Sequence, residues 1–377
     1  MKKLINYGKH TIGNEEIKNI KSVLKSNFLT QGSQTLNFEK SLMKKFGSKY
    51  VTSVCNGTAG LYIAIRSLNL KKNSTIAIPS ITFVGAANSI VLAGHIPLFV
   101  DINYETNCID VNHLEKILIR KKIHALIVVD LGGQPANWES IKKLSTRKNF
   151  YLINDNCHGI GSKYSNSEKY ALKYADISVQ SYHPVKAITT AEGGAILTNN
   201  KKLANVQKLL RNNSMVNSKN HWSYQVNNIS LNFRISDVHA AIGLAQLKKL
   251  NSFVKIRQKL AKNYYNLFKN YEKIKLPFVN SLKITNSFHL FIVKYNFKNK
   301  VKKNTFFKKM LKDNVRIQFH YTPIYRFSAY KKYKLKKNQF INSEKYMKNA
   351  FTIPIYPELK YTEQKRIVNS IIKHLYS

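Results

Sequence analysis

Short apolar runs alternate with segments of helical spacing between Lys49 and Asn199. Most of the runs are apolar at successive positions, which is typical of strands buried on both faces of a sheet. The runs read YVTSVC, TIAIP, PLFVDI, ALIVVDL, FYLIND, ISVQSY and AILT, and TAGLYIAIRSL, VGAANSIVLAG, VNHLEKILIR and WESIKKLS lie between them. This alternation predicts an α/β fold with a mainly parallel sheet between helices, and a ligand site at the carboxyl ends of the strands.

Two further helices follow the alternating region. An amphipathic pattern predicts a helix over 201–212, and the pattern over 236–268 indicates one long helix. Ser236 or Asp237 is expected to be the N-cap of the long helix, because short polar side chains accept hydrogen bonds from the first free backbone N–H groups. A change of composition near 271–277 then marks a boundary in the chain.

The rest of the chain predicts a smaller α+β domain. Its predicted elements are a strand in FHLFIVKY, a helix over 302–312, a strand in VRIQFHY and a last helix over 362–375. We therefore expect a large domain over 1–250, which includes an N-terminal segment over 1–30, and a small C-terminal domain over 251–377.

Lys186 has unusual surroundings for a lysine in this chain. It follows the strand-like ISVQSY and Pro184, and the residues Glu192-Gly193-Gly194 after it predict a sharp reversal into AILT. A lysine at a strand end that enters a pocket loses solvation and lowers its pKa, so that it acts as an amine nucleophile or proton carrier. Taken alone, Lys186 is more simply interpreted as a solvated surface charge.

Asp155 ends the strand-like FYLIND. A carboxylate at the end of a buried strand is costly without a cationic partner, so it serves either a functional role or as the N-cap of a helix. Opposite a pyridine ring it would keep the ring nitrogen protonated, which is the condition for the ring to act as an electron sink.

Two other features lie at predicted strand ends. Asn56-Gly57-Thr58-Ala59 stands between a strand and an apolar helix, so it is either a phosphate site at a helix N-terminus or an ordinary turn and N-cap. Phe83 follows the strand TIAIP, and it either belongs to the core or forms a flat wall for a bound ring.

The formal net charge of +43 allows a nucleic-acid or anionic-membrane partner. The basic residues are spread through the chain in short clusters, such as 120–122 and 298–303, and no nucleic-acid recognition motif accompanies them. We interpret the charge mainly as a composition bias, and we expect neither a nucleic-acid nor a membrane partner.

Cys55, Cys108 and Cys157 lie far apart and form no CxxC pair, which suits a reducing compartment and argues against a metal site or a disulfide framework. No apolar segment follows the charged N-terminus, and no apolar run approaches the roughly 20 residues that span a bilayer. We expect a cytoplasmic protein.

Ordered motifs over nearly the whole chain resemble the DegT/DnrJ/EryC1/StrS sugar aminotransferase family. They are FLTQGSQTLNFEKSL, NGTAGL, PSITFVGAAN, DNCHGIGSKY, SYHPVKAITTAEGG, LNFRISDVHAAIGLAQL, FHYTPIY and IPIYPEL. The resemblance implies a fold-type I transferase dependent on pyridoxal 5'-phosphate. Its large domain would have a mainly parallel seven-stranded sheet between helices, and its smaller C-terminal domain would be α+β.

The resemblance also assigns roles to residues at the site. Lys186 is the lysine that binds the cofactor covalently, Asp155 pairs with the pyridine nitrogen, Phe83 stacks on the ring and His158 lies near its phenolic oxygen. The phosphate is expected to be held by Thr58, Ala59, Ser181 and, from the partner subunit, Asn232. That last assignment implies a homodimer with shared active sites.

The implied substrates are L-glutamate and a nucleotide sugar. INYGKHTI, HPVK followed by ITT, and HYTPIY favour members that aminate the C4 keto group of a UDP-linked 6-deoxy sugar in pseudaminic acid biosynthesis. A 4-amino-arabinose, perosamine or bacillosamine type of 4-aminotransferase is the alternative. The candidate substrate contacts are Tyr7, Lys9, Thr30, Gln31, Arg234, His320 and Tyr321.

Three positions depart from the usual pattern of the family. Ala191 replaces the glycine before Glu-Gly-Gly, and Tyr182 and Asn156 replace a phenylalanine and an alanine beside Lys186 and Asp155. The sugar dehydratases of the family are disfavoured, because they typically carry histidine where this chain has Lys186. A basic nucleic-acid-binding protein without catalytic activity is the remote alternative.

Overall fold

A seven-stranded sheet forms the centre of the larger part of the molecule. The computed structural model describes residues 3–218, 220, 222–278 and 283–376. The strands are β1 (Tyr50–Val54), β2 (Thr75–Pro79), β3 (Ile96–Val100), β4 (Ala125–Val129), β5 (Tyr151–Asp155), β6 (Lys163–Tyr164), β7 (Ile177–Ser181), β8 (Gly194–Thr198), β9 (Met215–Asn217), β10 (Tyr224–Val226), β11 (Ile274–Lys275), β12 (Ile284–Thr285), β13 (Phe291–Tyr295) and β14 (Ala350–Ile353).

Helices cover both faces of this sheet and build most of the smaller region. They are α1 (Asn14–Leu24), α2 (Ser33–Phe46), α3 (Gly57–Ser67), α4 (Val84–Leu92), α5 (Val111–Arg120), α6 (Trp138–Lys148), α7 (Tyr170–Tyr174), α8 (Lys201–Arg211), α9 (Asp237–Phe268), α10 (Lys300–Lys312), α11 (Ile341–Asn349) and α12 (Tyr361–Tyr376). The seven strands predicted between residues 49 and 199 are all present, and together they form the large sheet.

The order of strands in the large sheet is β1-β8-β7-β5-β4-β2-β3. The pairs from β7 to β3 are parallel, whereas β8 is antiparallel to both β7 and β1. Because β8 returns directly beside β7, residues 182–193 form a loop at the carboxyl end of β7. The carboxyl ends of β5, β4 and β2 lie at the same edge of the sheet.

Alternate residues of the strands enter opposite apolar layers, which explains why the runs are apolar throughout. Ile76 and Ile78 of β2 pack with residues of α3 and α4 on one face. Ala77 of the same strand packs with residues of α5, α6 and α7 on the other face. A strand covered on both faces has no side that faces solvent, so apolar and polar residues do not alternate along it.

The smaller region has its own core. It joins the second half of α9 to β13, β14, α10 and α12, through side chains such as Tyr264, Phe291 and Met310. Leu250 and Val254, in the middle of α9, instead pack against the core that α2 and β8 share. One continuous helix thus crosses the expected boundary at 250/251, and the division into domains 1–250 and 251–377 stays a prediction.

The prediction of a strand over VRIQFHY was wrong. The segment makes only single bridges, from Val315 to Ile5 and from Gln318 to Thr352. Because these two partners belong to different parts of the chain, no continuous ladder forms along the segment. Ser236, by contrast, is confirmed as the N-cap of α9, since its Oγ accepts a hydrogen bond from the backbone N–H of His239 at 3.2 Å.

The N-terminal helix α1 is attached to α9 by a buried ion pair. Glu16 is fully buried, and it accepts hydrogen bonds from Lys249 Nζ at 2.6 and 2.7 Å, from Gln246 Nε2 at 2.7 Å and from Gly13 N at 2.9 Å. Burial by itself would raise the pKa of Glu16, but these hydrogen bonds outweigh burial and hold the pKa below its usual value.

We expect Glu16→Gln to lower the free energy of unfolding at pH 7 by about 2 kcal/mol, because it leaves Lys249 without its charged partner. Glu15→Gln is the matched control, since Glu15 pairs with Lys248 in an exposed bridge between the same helices, worth less than about 0.5 kcal/mol. Urea unfolding of both variants measures the difference.

The pH dependence of the Glu16→Gln effect follows from the depressed pKa of Glu16. A carboxylate with a lowered folded-state pKa contributes stability above its unfolded pKa of about 4.3, and this contribution is lost as the pH falls. The difference between the wild type and Glu16→Gln should therefore shrink between about pH 4.5 and pH 3. A difference that stays constant over that range would contradict the assignment.

Candidate active site

Lys186 lies in the loop that joins β7 to β8, at the carboxyl edge of the sheet. Its backbone N–H donates to the carbonyl of His183 at 2.9 Å, which places it in a tight turn after Pro184. Burial lowers the pKa of its amine, and the nearby Cys157 and Asp155 partly oppose this change. The amine is therefore deprotonated more readily than that of a surface lysine.

Asp155 ends β5, and its side chain is 5% exposed. Within the described residues its carboxylate forms no ion pair, and it accepts hydrogen bonds from Cys157, through the thiol and through the backbone N–H at 3.2 Å. Burial raises the pKa of Asp155, while Cys157 and the charge of Lys186 lower it. A buried carboxylate with so few partners suits a cationic group bound at the site.

The start of α3 and the end of β7 form a small hydroxyl-lined cradle. A Cβ placed on Gly57 would lie 2.8 Å from Ser181 Cβ and 3.2 Å from Ser181 Oγ, so only glycine leaves this space open. The dipole and free N–H groups of a helix N-terminus favour an anion there. The N–H of Ala59, however, already donates to Oδ1 of the N-cap Asn56 at 2.8 Å.

Phe83 is 55% exposed, so it does not belong to the core. It lies at the N-terminus of α4, directly after β2, and its ring is 6.0 Å from that of Tyr321. A Cβ on Gly85 would lie 2.6 Å from Thr58 Oγ1 and 3.0 Å from Phe83 Cε1. Gly85 thus allows the Phe83 ring and the Thr58 hydroxyl to approach each other, and the exposed ring is able to stack on a flat ligand.

His158 is buried and uncharged. Its Nδ1 accepts a hydrogen bond from the Gly132 N–H at 3.3 Å, which leaves the ring proton on Nε2. Nε2 then donates to Tyr321 Oη, also at 3.3 Å. Burial is the main cause that holds the pKa of His158 well below its usual value, and the charge of Lys186 adds to the effect.

Three of the candidate substrate contacts meet beside this group. The ring of His320 lies 5.3 Å from that of Tyr7 and 4.9 Å from that of Tyr321. The Nδ1 of His320 is 3.0 Å from Thr352 Oγ1, and burial lowers the pKa of His320 to about 3. These side chains come from the N-terminal segment and the small region, so the site lies between the two parts of the molecule.

The other candidate contacts are not part of this aromatic group. Lys9 forms an exposed ion pair with Glu358. Thr30 and Gln31 are exposed, and Thr30 forms a bridge with Ser236 at the start of α9. Asn232 and Arg234 precede the same helix. Asn232 Oδ1 accepts from the Arg234 backbone N–H at 3.1 Å, and the Arg234 guanidinium donates to the Asn212 side chain.

The sequence analysis missed Asp130, which directly follows β4. Its fully buried carboxylate accepts five hydrogen bonds. Oδ1 accepts from Ala136 N (2.9 Å) and Trp138 Nε1 (3.1 Å), and Oδ2 accepts from Asn154 Nδ2 (3.1 Å), Asn156 Nδ2 (3.2 Å) and Tyr170 Oη (2.7 Å). The signal that could have revealed it is an aspartate directly after the apolar run ALIVV, as in the case of Asp155.

The structure explains two of the three departures from the family pattern, at Asn156 and Tyr182, but not the alanine at position 191. Asn156 donates to Asp130 and to Tyr170 Oη, at 3.2 and 3.1 Å. Tyr182 is fully buried against Phe38, and its hydroxyl donates to Gln180 Oε1 at 2.7 Å. Ala191 has a φ of 65°, in the left-handed region that favours glycine, which is why glycine is usual at that position.

Comparison with known proteins agrees with these features. A model of the family described as DegT/DnrJ/EryC1/StrS aminotransferases matches residues 10–372, which is nearly the whole chain. The chain belongs to the DegT/DnrJ/EryC1/StrS aminotransferase family. The family predicted from the motifs is therefore confirmed, and with it the fold-type I architecture and the assignment as a sugar aminotransferase.

Relatives within the family extend over most or all of the chain. UDP-4-amino-4,6-dideoxy-N-acetyl-beta-L-altrosamine transaminase from Campylobacter jejuni is 32% identical over 99% of this chain and 98% of its own length. GDP-perosamine synthase from Escherichia coli O157:H7 is 32% identical over 62% of this chain and 63% of its own. The solved structure of Helicobacter pylori PseC, an aminotransferase involved in the biosynthesis of pseudoaminic acid, superposes with a TM-score of 0.93. It is 30% identical and covers 99% of this chain and 100% of its own.

None of the described helices is long and apolar enough to cross a membrane. Within the described residues no group of three or more histidine, cysteine, aspartate or glutamate side chains is arranged to hold a metal ion.

We expect Asp130→Asn to lower the free energy of unfolding by about 3 kcal/mol. The amide NH₂ that replaces one carboxylate oxygen would face the N–H or O–H groups that now donate to that oxygen, so these donors would lose their acceptor. Asp110→Asn is the control, since the half-buried Asp110 caps α5 and asparagine caps a helix equally well. Chemical denaturation measures both. Equal stability of the two variants would contradict the role of Asp130.

Proposed function

We propose that this chain is a cytoplasmic, pyridoxal 5'-phosphate-dependent aminotransferase that moves the amino group of L-glutamate to the C4 keto group of a UDP-linked sugar. The sugar is UDP-2-acetamido-2,6-dideoxy-β-L-arabino-hex-4-ulose, an intermediate of pseudaminic acid biosynthesis. The observation that carries the proposal is the buried Asp155, which forms no ion pair among the described residues and shares a sheet edge with Lys186.

The side chains at the sheet edge fit the cofactor. Asp155 would meet the pyridine nitrogen, because a protonated ring nitrogen is the cationic partner that its buried carboxylate lacks. Thr58 and Ser181 would hold the phosphate with the start of α3, and Phe83 would cover one face of the ring. Ala59 would contribute its N–H only in competition with Asn56.

Lys186 is the proton carrier in this mechanism. The bound cofactor supplies an electron sink, which makes the Cα proton of the amino donor labile. Because burial lowers the pKa of Lys186, its Nζ is able to accept that proton and would deliver it to the cofactor within the same half-reaction. In the second half-reaction the same amine would carry a proton the opposite way, from the cofactor to C4 of the sugar. His158 stays neutral, and its Nε2–H, which donates to Tyr321 Oη, would donate to the cofactor only in competition with Tyr321.

The choice of sugar rests on the relatives and on the substrate-side residues. The transaminase of Campylobacter jejuni is similar over the full chain, which favours the altrosamine-forming reaction. Tyr7, His320 and Tyr321 form an aromatic group beside Lys186, and such rings suit a sugar or a nucleotide base. The perosamine synthase of Escherichia coli supports the alternative, a GDP-linked 4-keto sugar.

The proposed assembly is a homodimer in which Asn232 reaches the phosphate of the partner subunit's cofactor. Large apolar side chains are exposed next to Asn232 and to the start of α9, namely Phe28, Leu29, Ile229 and Leu231. The backbone N–H of Asp237 donates to the Leu29 carbonyl at 2.9 Å, so these two exposed segments adjoin. A patch of this kind is typical of a surface that a second subunit covers.

We expect Lys186→Ala and Asp155→Asn each to lower kcat with glutamate by at least about a hundredfold, since one removes the proton carrier and the other the charge that faces the ring. Glutamate should bleach the yellow colour of the wild-type protein loaded with pyridoxal phosphate, but not that of the Asp155→Asn variant.

The matched control is Asp176→Asn. Asp176 precedes β7 at the opposite edge of the sheet and accepts a hydrogen bond from Leu152 N at 2.8 Å, so this variant should keep its activity. A wild-type protein that stays colourless with added pyridoxal phosphate would remove the cofactor assignment and the function with it.

The sugar is tested by direct competition. With glutamate as donor, we expect kcat/KM for the UDP-linked 4-keto-6-deoxy sugar to exceed that for a GDP-linked 4-keto-6-deoxy sugar by at least about a hundredfold. Mass spectrometry of the aminated products measures both rates. A preference for the GDP-linked sugar would support the perosamine type instead.

A further inference from the structure

A second buried imidazole lies directly against His158. The ring of His289 is 4.3 Å from the ring of His158, and the side chain of His289 is 4% exposed. Its Nδ1 is buried without a hydrogen-bond partner, and neither ring nitrogen bonds to any residue that the structure describes. Among the described residues no hydrogen bond of the ring accounts for this histidine, and the contact it makes at the site is the packing of its ring against His158.

Hydrogen bonds to the backbone of residues 288–290 fix the position of His289. The guanidinium of the buried Arg257 donates to the carbonyls of Phe288 at 3.3 Å and of His289 at 3.4 Å. Leu290 N donates to the Gly132 carbonyl at 3.1 Å, and Gly132 N is the donor that fixes Nδ1 of His158. The same short segment therefore positions the His289 ring and the donor that sets the tautomer of His158.

The second contact of His158 is with Tyr321. The two rings are 6.1 Å apart and 30° from parallel, and Tyr321 Oη accepts from His158 Nε2. His158 is thus enclosed between His289 and Tyr321. Removal of the His289 ring would open one side of this enclosure to solvent.

The charged and titratable groups around the two imidazoles favour their neutral forms. Burial is the largest cause that lowers the pKa of His289, and the neighbouring His158, Lys186, Arg257 and His320 lower it further. Lys186 and His320 act on His158 in the same way, after burial. The carboxylates at this edge of the sheet are Asp155, which is assigned to the cofactor, and Asp130, which accepts five hydrogen bonds of its own. Tyr7 adds only a phenol to the group.

We propose that His289 is a positioning residue whose ring shields His158 from water and so keeps it as a neutral Nε2–H donor toward the bound cofactor. The inference rests on the proposed function, since it assumes that His158 faces the phenolic oxygen of pyridoxal phosphate. His289 itself touches neither substrate nor cofactor in this role.

The test compares His289→Ala, which opens the space beside His158, with His289→Phe, which fills it with an aromatic ring. His95→Ala is the matched control, because His95 is also buried, has an unpartnered Nδ1 and a pKa lowered by burial, but lies away from the site, before β3. Each protein is loaded with pyridoxal phosphate. Its visible absorbance and its kcat with glutamate are recorded from pH 5 to pH 9.

In His289→Ala, hydrated His158 should titrate near the ordinary histidine value of about 6.5. The visible absorbance should then gain a transition near that pH, and kcat should fall about tenfold between pH 7.5 and pH 5.5 relative to the wild type. His289→Phe and His95→Ala should keep the wild-type pH profile, whatever they do to stability.

An unchanged pH profile in His289→Ala, or the same new transition in His289→Phe, would overturn the proposal. If the alanine variant does not fold, His289→Asn takes its place, because its smaller side chain leaves part of the His158 ring uncovered and predicts the same transition. Failure of the wild-type protein to bind the cofactor is a separate result, which would remove the proposed function instead.

Discussion

The reversal of the chain between β7 and β8 is the constraint on which the site depends. β8 pairs antiparallel with β7, so the loop that carries Lys186 must leave and re-enter the sheet at one edge. The strands β7, β5, β4 and β2 are parallel, and their carboxyl ends meet at that same edge. Residues that are far apart in sequence, such as Phe83, Asp155 and Ser181, are consequently brought around one lysine.

Two buried aspartates at neighbouring strand ends differ in the number of their hydrogen-bond partners and therefore in their roles. Asp130 has its charge distributed over five donors, which leaves no capacity for a ligand. Within the described residues Asp155 accepts hydrogen bonds from Cys157 and forms no ion pair. A buried carboxylate is costly without donors. Asp130 therefore has a structural role, in which it connects the loops around the sheet, whereas the environment of Asp155 suits a bound cationic group.

Burial also changes the pKa values of the imidazoles on the other side of the site, but it lowers them, whereas it raises the pKa of Asp155. His158, His289 and His320 lie near Lys186 and lose solvation together, so each holds its proton weakly. A neutral imidazole keeps one donor and one acceptor, and hydrogen bonds from the backbone decide which nitrogen carries the proton. The Gly132 N–H makes that choice for His158.

Much of the fold could be predicted because local patterns determine it. The strands of the large sheet and α5 lie where their apolar periodicity indicated, and Ser236 caps α9 as its chemistry predicts. The strand expected over VRIQFHY failed, because its hydrogen-bond partners are Ile5 and Thr352, which no local pattern reveals. Phe83 was equally compatible with a core or a ligand wall until its exposure was known.

By itself the sequence determined the fold class and the family, and it predicted the roles of Lys186 and Asp155, since these inferences depend on periodicity and on ordered motifs. Only the tertiary structure decided which polar groups have partners. It showed that Asp130 has many hydrogen-bond donors and Asp155 few, and that the Ala59 N–H already donates to Asn56. It also placed His289 against His158. Solvation and hydrogen bonding depend on groups that are distant along the chain, and the folded chain alone brings those groups together.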